Sequence, residues 1–203
     1  MRKLLVLAIL VAAAVWVTGV WRPRLPPGIK DADLDTLTTL SAAQAAALAE
    51  RAGNLSLDAV KSLSAEAATV LAKRSGSLSL DGLESITPEV ADILATHEGG
   101  LSLDGLRELS PAVAAALSRQ RGWLNLNGLE TLPDDVAECL SRHRGSLHLN
   151  RLTELSATAA KALEGHDGEV WLKKLATLPA EAAALLGKES VHVPDRLREE
   201  VGR

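Results

Sequence analysis

The chain has 203 residues, 47% of them apolar, and its only aromatic residues are four tryptophans, so any core must be aliphatic. A single cysteine, Cys139, excludes an intrachain disulfide and any cysteine-based metal cluster. The first 30 residues carry five basic residues and no acidic one, leaving 17 basic against 26 acidic (net −9) beyond them; an acidic body lacks the electrostatic footprint of a nucleic-acid binder.

Residues 4–21 form one apolar run, LLVLAILVAAAVWVTGVW, with no charge inside it. Eighteen residues as a helix rise about 27 Å, close to the hydrocarbon thickness of a bilayer. Arg2 and Lys3 precede the run, Arg22 and Arg24 follow it, and Trp16 and Trp21 sit near its far end as interface anchors do. We therefore expect residues 1–21 to be a transmembrane signal anchor, with the rest of the chain outside the cytoplasm. The competing reading is a signal peptide cleaved after Ala12-Ala13-Ala14, which would leave a secreted protein. Residues 22–31 follow as a linker, in which three prolines and a glycine disfavour a helix.

From residue 32 onward the chain repeats itself every 23 residues, with units beginning at 32, 55, 78, 101, 124, 147 and 170. Fixed-period self-similarity is the signature of a stacked solenoid. L-x-L opens the units, as in Leu78/Leu80 and Leu147/Leu149, which predicts a short strand with one buried face; Ala32-Asp33-Leu34 is expected to be a weakened strand of this kind. Asp81-Gly82, Asp104-Gly105 and Asn127-Gly128 then supply turn chemistry. Ser64, Thr87-Pro88 and Ser110-Pro111 mark helix starts, twice with Pro at the first helical position. The helix that follows has one apolar stripe, Val90, Ala91 and Leu94 in one unit and Val113, Ala114 and Leu117 in the next. Invariant alanines at 45, 68, 91, 114, 137, 160 and 183 imply a close contact between units. Glycines at 53, 76, 99, 122, 145 and 168 are expected to end each helix in a left-handed cap. The last unit departs from the pattern: 189–193 predicts a short final strand and 195–201 a polar closing helix, as the open end of a solenoid requires.

This pattern resembles the leucine-rich repeat, through its L-x-L strand, its turn, and steps such as Leu132-Pro133. In period it is similar to short bacterial repeats of the BspA-like kind. One feature departs from the family: its buried Asn position is occupied by Val60, Leu83, Leu106, Leu129, Leu152 and Leu175, and an Asx column falls two residues earlier. The resemblance implies an α/β solenoid of about seven strand-turn-helix units over 32–203, serving as a recognition scaffold. The alternative is an all-α solenoid in which LSLDGL is a short helix.

No nucleophile elbow, dinucleotide or phosphate loop, or H-E-x-x-H motif occurs, so we expect no catalysis, no cofactor and no metal. His97, His143 and His166 share one position near the helix ends, where a cation-capable side chain complements the helix dipole; a metal between His143 and His166 is the sharper reading. If the strand leucines point inward, two columns face outward on the concave sheet. One reads Ser56, Ser79, Ser102, Asn125, His148, Trp171, and the other Asp58, Asp81, Asp104, Asn127, Asn150, Lys173. The Asp residues are expected to cap their own turns, or else to hold a cation. The pattern breaks toward the C-terminus, so the candidate ligand-binding residues are Asn125, Asn127, His148, Asn150, Trp171 and Lys173. The expected function is membrane-tethered recognition of a protein or an envelope polysaccharide, with a self-associating structural protein as the alternative.

Overall fold

The computed structural model describes residues 34–201. The anchor expected at 1–21 and the linker at 22–31 lie outside them. Among the described residues no helix is long and apolar enough to cross a membrane.

Seven two-residue strands alternate with helices along the chain. They are β1 (Leu55–Ser56), β2 (Leu78–Ser79), β3 (Leu101–Ser102), β4 (Leu124–Asn125), β5 (Leu147–His148), β6 (Val170–Trp171) and β7 (Val191–His192). The helices are α1 (Ala42–Ala49), α2 (Ala65–Leu71), α3 (Pro88–Leu94), α4 (Pro111–Leu117), α5 (Asp134–Leu140), α6 (Ala157–Glu164), a 3-10 turn (Ala180–Ala182) running into α7 (Ala183–Leu186), and α8 (Asp195–Val201). The strands form one parallel sheet in chain order, and each residue pairs with its equivalent in the next unit: Leu55 with Leu78, Leu78 with Leu101, and so on. Seven parallel strands exclude the all-α alternative. β7 and α8 fall where the sequence places the closing elements. The strand expected at 32–34 is not formed at Leu34.

Each helix starts as its sequence directs. The side chains of Ser41, Ser64, Thr87, Ser110 and Ser156 accept from the third backbone N–H of their helices. α5 begins after Pro133 with no side-chain cap of this kind, and carries Asp134 and Asp135 in its first turn instead, where the helix dipole favours negative charge. Between sheet and helices lies a single aliphatic core. In the third unit Leu78, Leu80, Leu83, Ala91 and Leu94 are wholly buried, and their equivalents repeat this along the solenoid. Each such leucine contributes about 1.5–3 kcal/mol by leaving water. The invariant alanines from Ala45 to Ala160 are also fully buried, as close helix-helix approach between units demands.

The glycine column acts differently from expectation. Only Gly53 and Gly76 have positive φ, at 87° and 85°. At Gly99, Gly122, Gly145 and Gly168 the requirement is space: a Cβ would collide with the carbonyl oxygen of the glycine one unit earlier. The loops stack backbone upon backbone, and a side chain would force the units apart.

Candidate functional site

Two ladders of polar side chains, one at each end of the strands, tie every unit to its neighbours. The first contains Arg74, His97, Gln120, His143 and His166, which are between 0 and 5% exposed. Arg74 donates to the carbonyls of Ser77 (2.8 Å) and Gly53 (2.5 Å). Gln120 Nε2 donates to Gly99 O at 2.5 Å, and His166 Nε2 lies 3.0 Å from Gly145 O. His97 Nδ1 lies 3.3 Å from Ala72 O. A carbonyl only accepts, so each of these ring nitrogens carries the proton. In the last unit Lys188 Nζ performs the same service for Glu164 O. The three histidines are therefore buried between units, not exposed at helix ends. His97 and His166 are buried donors to loop carbonyls that would otherwise be unsatisfied.

His143 is the extreme case. It is fully buried, and its ring lies 5.9 Å from that of His166. The carbonyls of Gln120, Gly122 and Ser118 surround it, but neither nitrogen reaches hydrogen-bond geometry with them. Burial, reinforced by His166, pushes its pKa down to about 4, so the ring is neutral at pH 7. Among the described residues no three His, Cys, Asp or Glu side chains converge to hold a metal.

The second ladder is the Asx column. Asp58 Oδ1 accepts from the backbone N–H of Asp81 (3.1 Å), Asp81 from Asp104 (2.9 Å), Asp104 from Asn127 (2.9 Å), Asn127 from Asn150 (2.9 Å) and Asn150 from Lys173 (3.2 Å). These residues thus cap the turn of the following unit, not their own. Serine hydroxyls complete the coordination: Ser56 and Ser79 donate to Asp58, and Ser102 donates to Asp81. Burial alone would raise the carboxyl pKa of Asp58, but the bonds from Ser79, Ser56 and the Asp81 N–H outweigh it and hold it below the usual carboxylate range.

Of the six candidate residues, Asn127 and Asn150 are thereby engaged in structure. The other four stay on the open face of the sheet. His148 and Trp171 stack at 5.7 Å between centroids, and Trp171 stacks on His192 of β7 at 3.7 Å. Lys173 Nζ lies 4.9 Å from the Trp171 centroid. The indole Nε1 donates to Glu169 at 3.3 Å, and His192 Nε2 is 3.8 Å from the same carboxylate. Asn125 lies one rung before this row, its Oδ1 buried without a partner. Burial lowers the pKa of His148, assisted by Lys173 and His192 and opposed by Asp104 and Glu169. β7 extends the sheet beyond Trp171, so this ring does not close the end of the core; it is the middle of a three-ring row. Trp171, Lys173, His192, Val193, Pro194 and Asp195 line an open depression of about 310 Å3 beside it.

The architecture is leucine-rich-repeat-like. No family model matches the chain, and no curated protein does. Among solved structures, a leucine-rich-repeat protein of Leptospira interrogans is similar at 17% identity and a TM-score of 0.24; the match covers 73% of this chain and 57% of that one.

Sequence reasoning missed two participants: His192 and Glu169. His192 was hidden because the last unit is two residues short, so that Val170 pairs with Val191.

Proposed function

We propose that this protein is a non-catalytic recognition scaffold, tethered to a membrane through residues 4–21, that binds a partner protein with the open sheet face of its last three units. The observation that carries this reading is the His148–Trp171–His192 row. In the first units the outward positions hold serines that serve the Asx ladder, whereas here they hold three rings with no such duty. Tryptophan among polar groups is the composition of an interface hot spot. Both faces of Trp171 are covered by histidines, which favours contact through the rim of the row and disfavours a sugar stacked on the indole. The BspA-like period and the absence of any catalytic motif support the same reading.

A photo-crosslinking amino acid placed at 148, and as a control at 79, in the full chain in its native host tests it. The expected result is an adduct of defined mass from position 148 only, lost with Trp171→Ala. An adduct of twice the chain mass would favour the self-associating structural protein. Equal crosslinking from both positions would overturn the assignment of the face. The tether is checked separately, by whether mature protein retains its N-terminus; a start at Val15 would show a cleaved signal peptide.

A further inference from the structure

The two ends of the sheet are finished differently. At the C-terminal end the Val191 N–H donates to Lys188 O at 3.2 Å, and Pro194 stops the strand ahead of α8. At the N-terminal end β1 has a strand on one side only, and Asn54, Ser56 and Asp58 are exposed. Nothing lies within 4 Å of where a Cβ on Gly53 would stand, whereas one on Gly76 would collide with the Gly53 carbonyl. The hydroxyl ladder shows the same gap. Ser79 and Ser102 donate to the Asp of the preceding unit, but Ser56 turns to Asp58 of its own unit, at 2.7 Å.

Register fixes which groups line this edge. Inside the sheet, the carbonyls of Ser77 and Ser79 accept from Leu55 and Leu57 of the unit before, and the Asp81 N–H donates to Asp58. On β1 the same positions are the carbonyls of Asn54 and Ser56 and the N–H of Asp58. The Ser56 N–H joins them, because the N–H and C=O of one strand residue point to the same side. Among the described residues these four groups have no hydrogen-bond partner. They read acceptor at 54, donor and acceptor at 56, donor at 58. An edge of that pattern is complementary to itself run antiparallel, and unblunted edges invite such pairing.

We propose that β1 pairs with β1 of a second copy of this chain, antiparallel about a two-fold axis through Ser56. The two Ser56 residues exchange N–H···O bonds, and each Asp58 N–H donates to Asn54 O of the second copy, which leaves none of these groups unpaired. The side chains agree with this register. Each Asp58 carboxylate faces an Asn54 amide, whose Oδ1 is held by Ser77 and whose Nδ2 is left to donate. The two carboxylates stand four residues apart along the strands, about 13 Å, so they do not oppose one another. Pairing joins two seven-stranded sheets into one and carries a His148–Trp171–His192 row at each far end, so the scaffold becomes bivalent. The edge shares no residue with that row, and either assignment can fail alone.

Sedimentation velocity on the full chain in detergent micelles should show a concentration-dependent dimer, with a Kd on the order of micromolar for so short a contact. Ser56→Pro removes the outward N–H and no bond inside the sheet, a place where an edge strand tolerates proline. Ser56→Lys keeps the backbone and sets two ammonium groups against each other, which makes it the safeguard if proline unfolds the edge. Each should weaken the dimer about tenfold or more, with far-UV spectrum and melting retained. In a Cys139→Ala background, Ser56→Cys should oxidise to a linked dimer, since paired Cα atoms there are about 5.5 Å apart. Ser79→Cys, three strand spacings or about 14 Å from its counterpart, should not. A chain that stays monomeric, a dimer that survives both Ser56 variants, or equal linking from Ser79→Cys overturns the proposal. Capture of another protein by Ser56→Cys in the native membrane would assign the edge to a foreign strand. A Ser56→Cys thiol shielded from alkylation in the monomer would assign it to the chain's own upstream residues; either result also overturns it.

Discussion

Replacing Gln120 tests whether the buried donor ladder stabilises the solenoid through its hydrogen bonds or merely fills space. Gln120 is 1% exposed, and its Nε2 donates to Gly99 O at 2.5 Å and weakly to His97 O at 3.4 Å. Leucine has similar volume but no donor. Gln120→Leu therefore leaves the Gly99 carbonyl buried and unpaired, at about 1–3 kcal/mol, with a smaller loss at His97. It also removes a buried Oε1 that has no partner, which returns part of that loss. The net expectation is about 2–3 kcal/mol of destabilisation. Gln120→His provides the control, because three other units use histidine at this position and His166 shows a ring nitrogen reaching the equivalent carbonyl at 3.0 Å; its expected loss is below about 1 kcal/mol. Equilibrium urea unfolding measures both, with an unchanged m-value confirming that the same surface unfolds. If Gln120→Leu matches wild type, or is less damaging than Gln120→His, the column is a packing feature and the hydrogen-bond argument is wrong.

Three further outcomes are expected. The neutral form of His143 is favoured by folding, its pKa falling from 6.5 to about 4, so stability is full above pH 6.5 and declines by about 3 kcal/mol as pH drops toward 4; His143→Gln should flatten that slope in thermal melts taken between pH 7 and 4. Asn127→Ala removes the acceptor of the Asn150 N–H and the donor to Asp104 Oδ2 at 3.0 Å, and should cost about 1–3 kcal/mol in urea unfolding. Ala114→Leu places extra volume at a fully buried helix contact and should destabilise by about 1–3 kcal/mol or more; a neutral result would show that the helices can separate.

The period, the strand positions from Leu55 onward, the helix starts at Ser64, Thr87 and Ser110, and the two closing elements were legible in the sequence because each depends on local signals: alternation, an N-cap, a proline, a broken pattern. The ladders were not, because their chemistry runs between units. That Asp81 serves the N–H of Asp104 depends on register across strands, not on the residues beside it in sequence. The His97, His143 and His166 column was misread for the same reason, as three histidines considered without Arg74 and Gln120. Taken together the five share one property, a side chain able to donate, and a donor-capable column at fixed phase in a repeat is the signature of a ladder to neighbouring carbonyls. Glycine was similarly ambiguous: a residue that can adopt positive φ is also one that leaves room, and Gly99, Gly122, Gly145 and Gly168 are there for room.

The ladders also explain where the open face becomes free to vary. Three carboxylates in successive rungs, Asp58, Asp81 and Asp104, are tolerated because each collects donors, and for the first two a serine hydroxyl of the next rung is among them. Ser79 and Ser102 are thus tied to the acids they serve. At Asp104 the arrangement changes: its second oxygen accepts from Asn127 Nδ2, and no hydroxyl is needed from position 125. At Asn127 and Asn150 the column is uncharged and needs only one oxygen to cap the next N–H. The neighbouring outward positions are then released from supplying hydroxyls. They become Asn125, His148 and Trp171, and β7 continues the row with His192. The shift from Asp to Asn and the shift from Ser to ring side chains are one event, in which the solenoid gives up a charged ladder and gains a surface free to carry recognition.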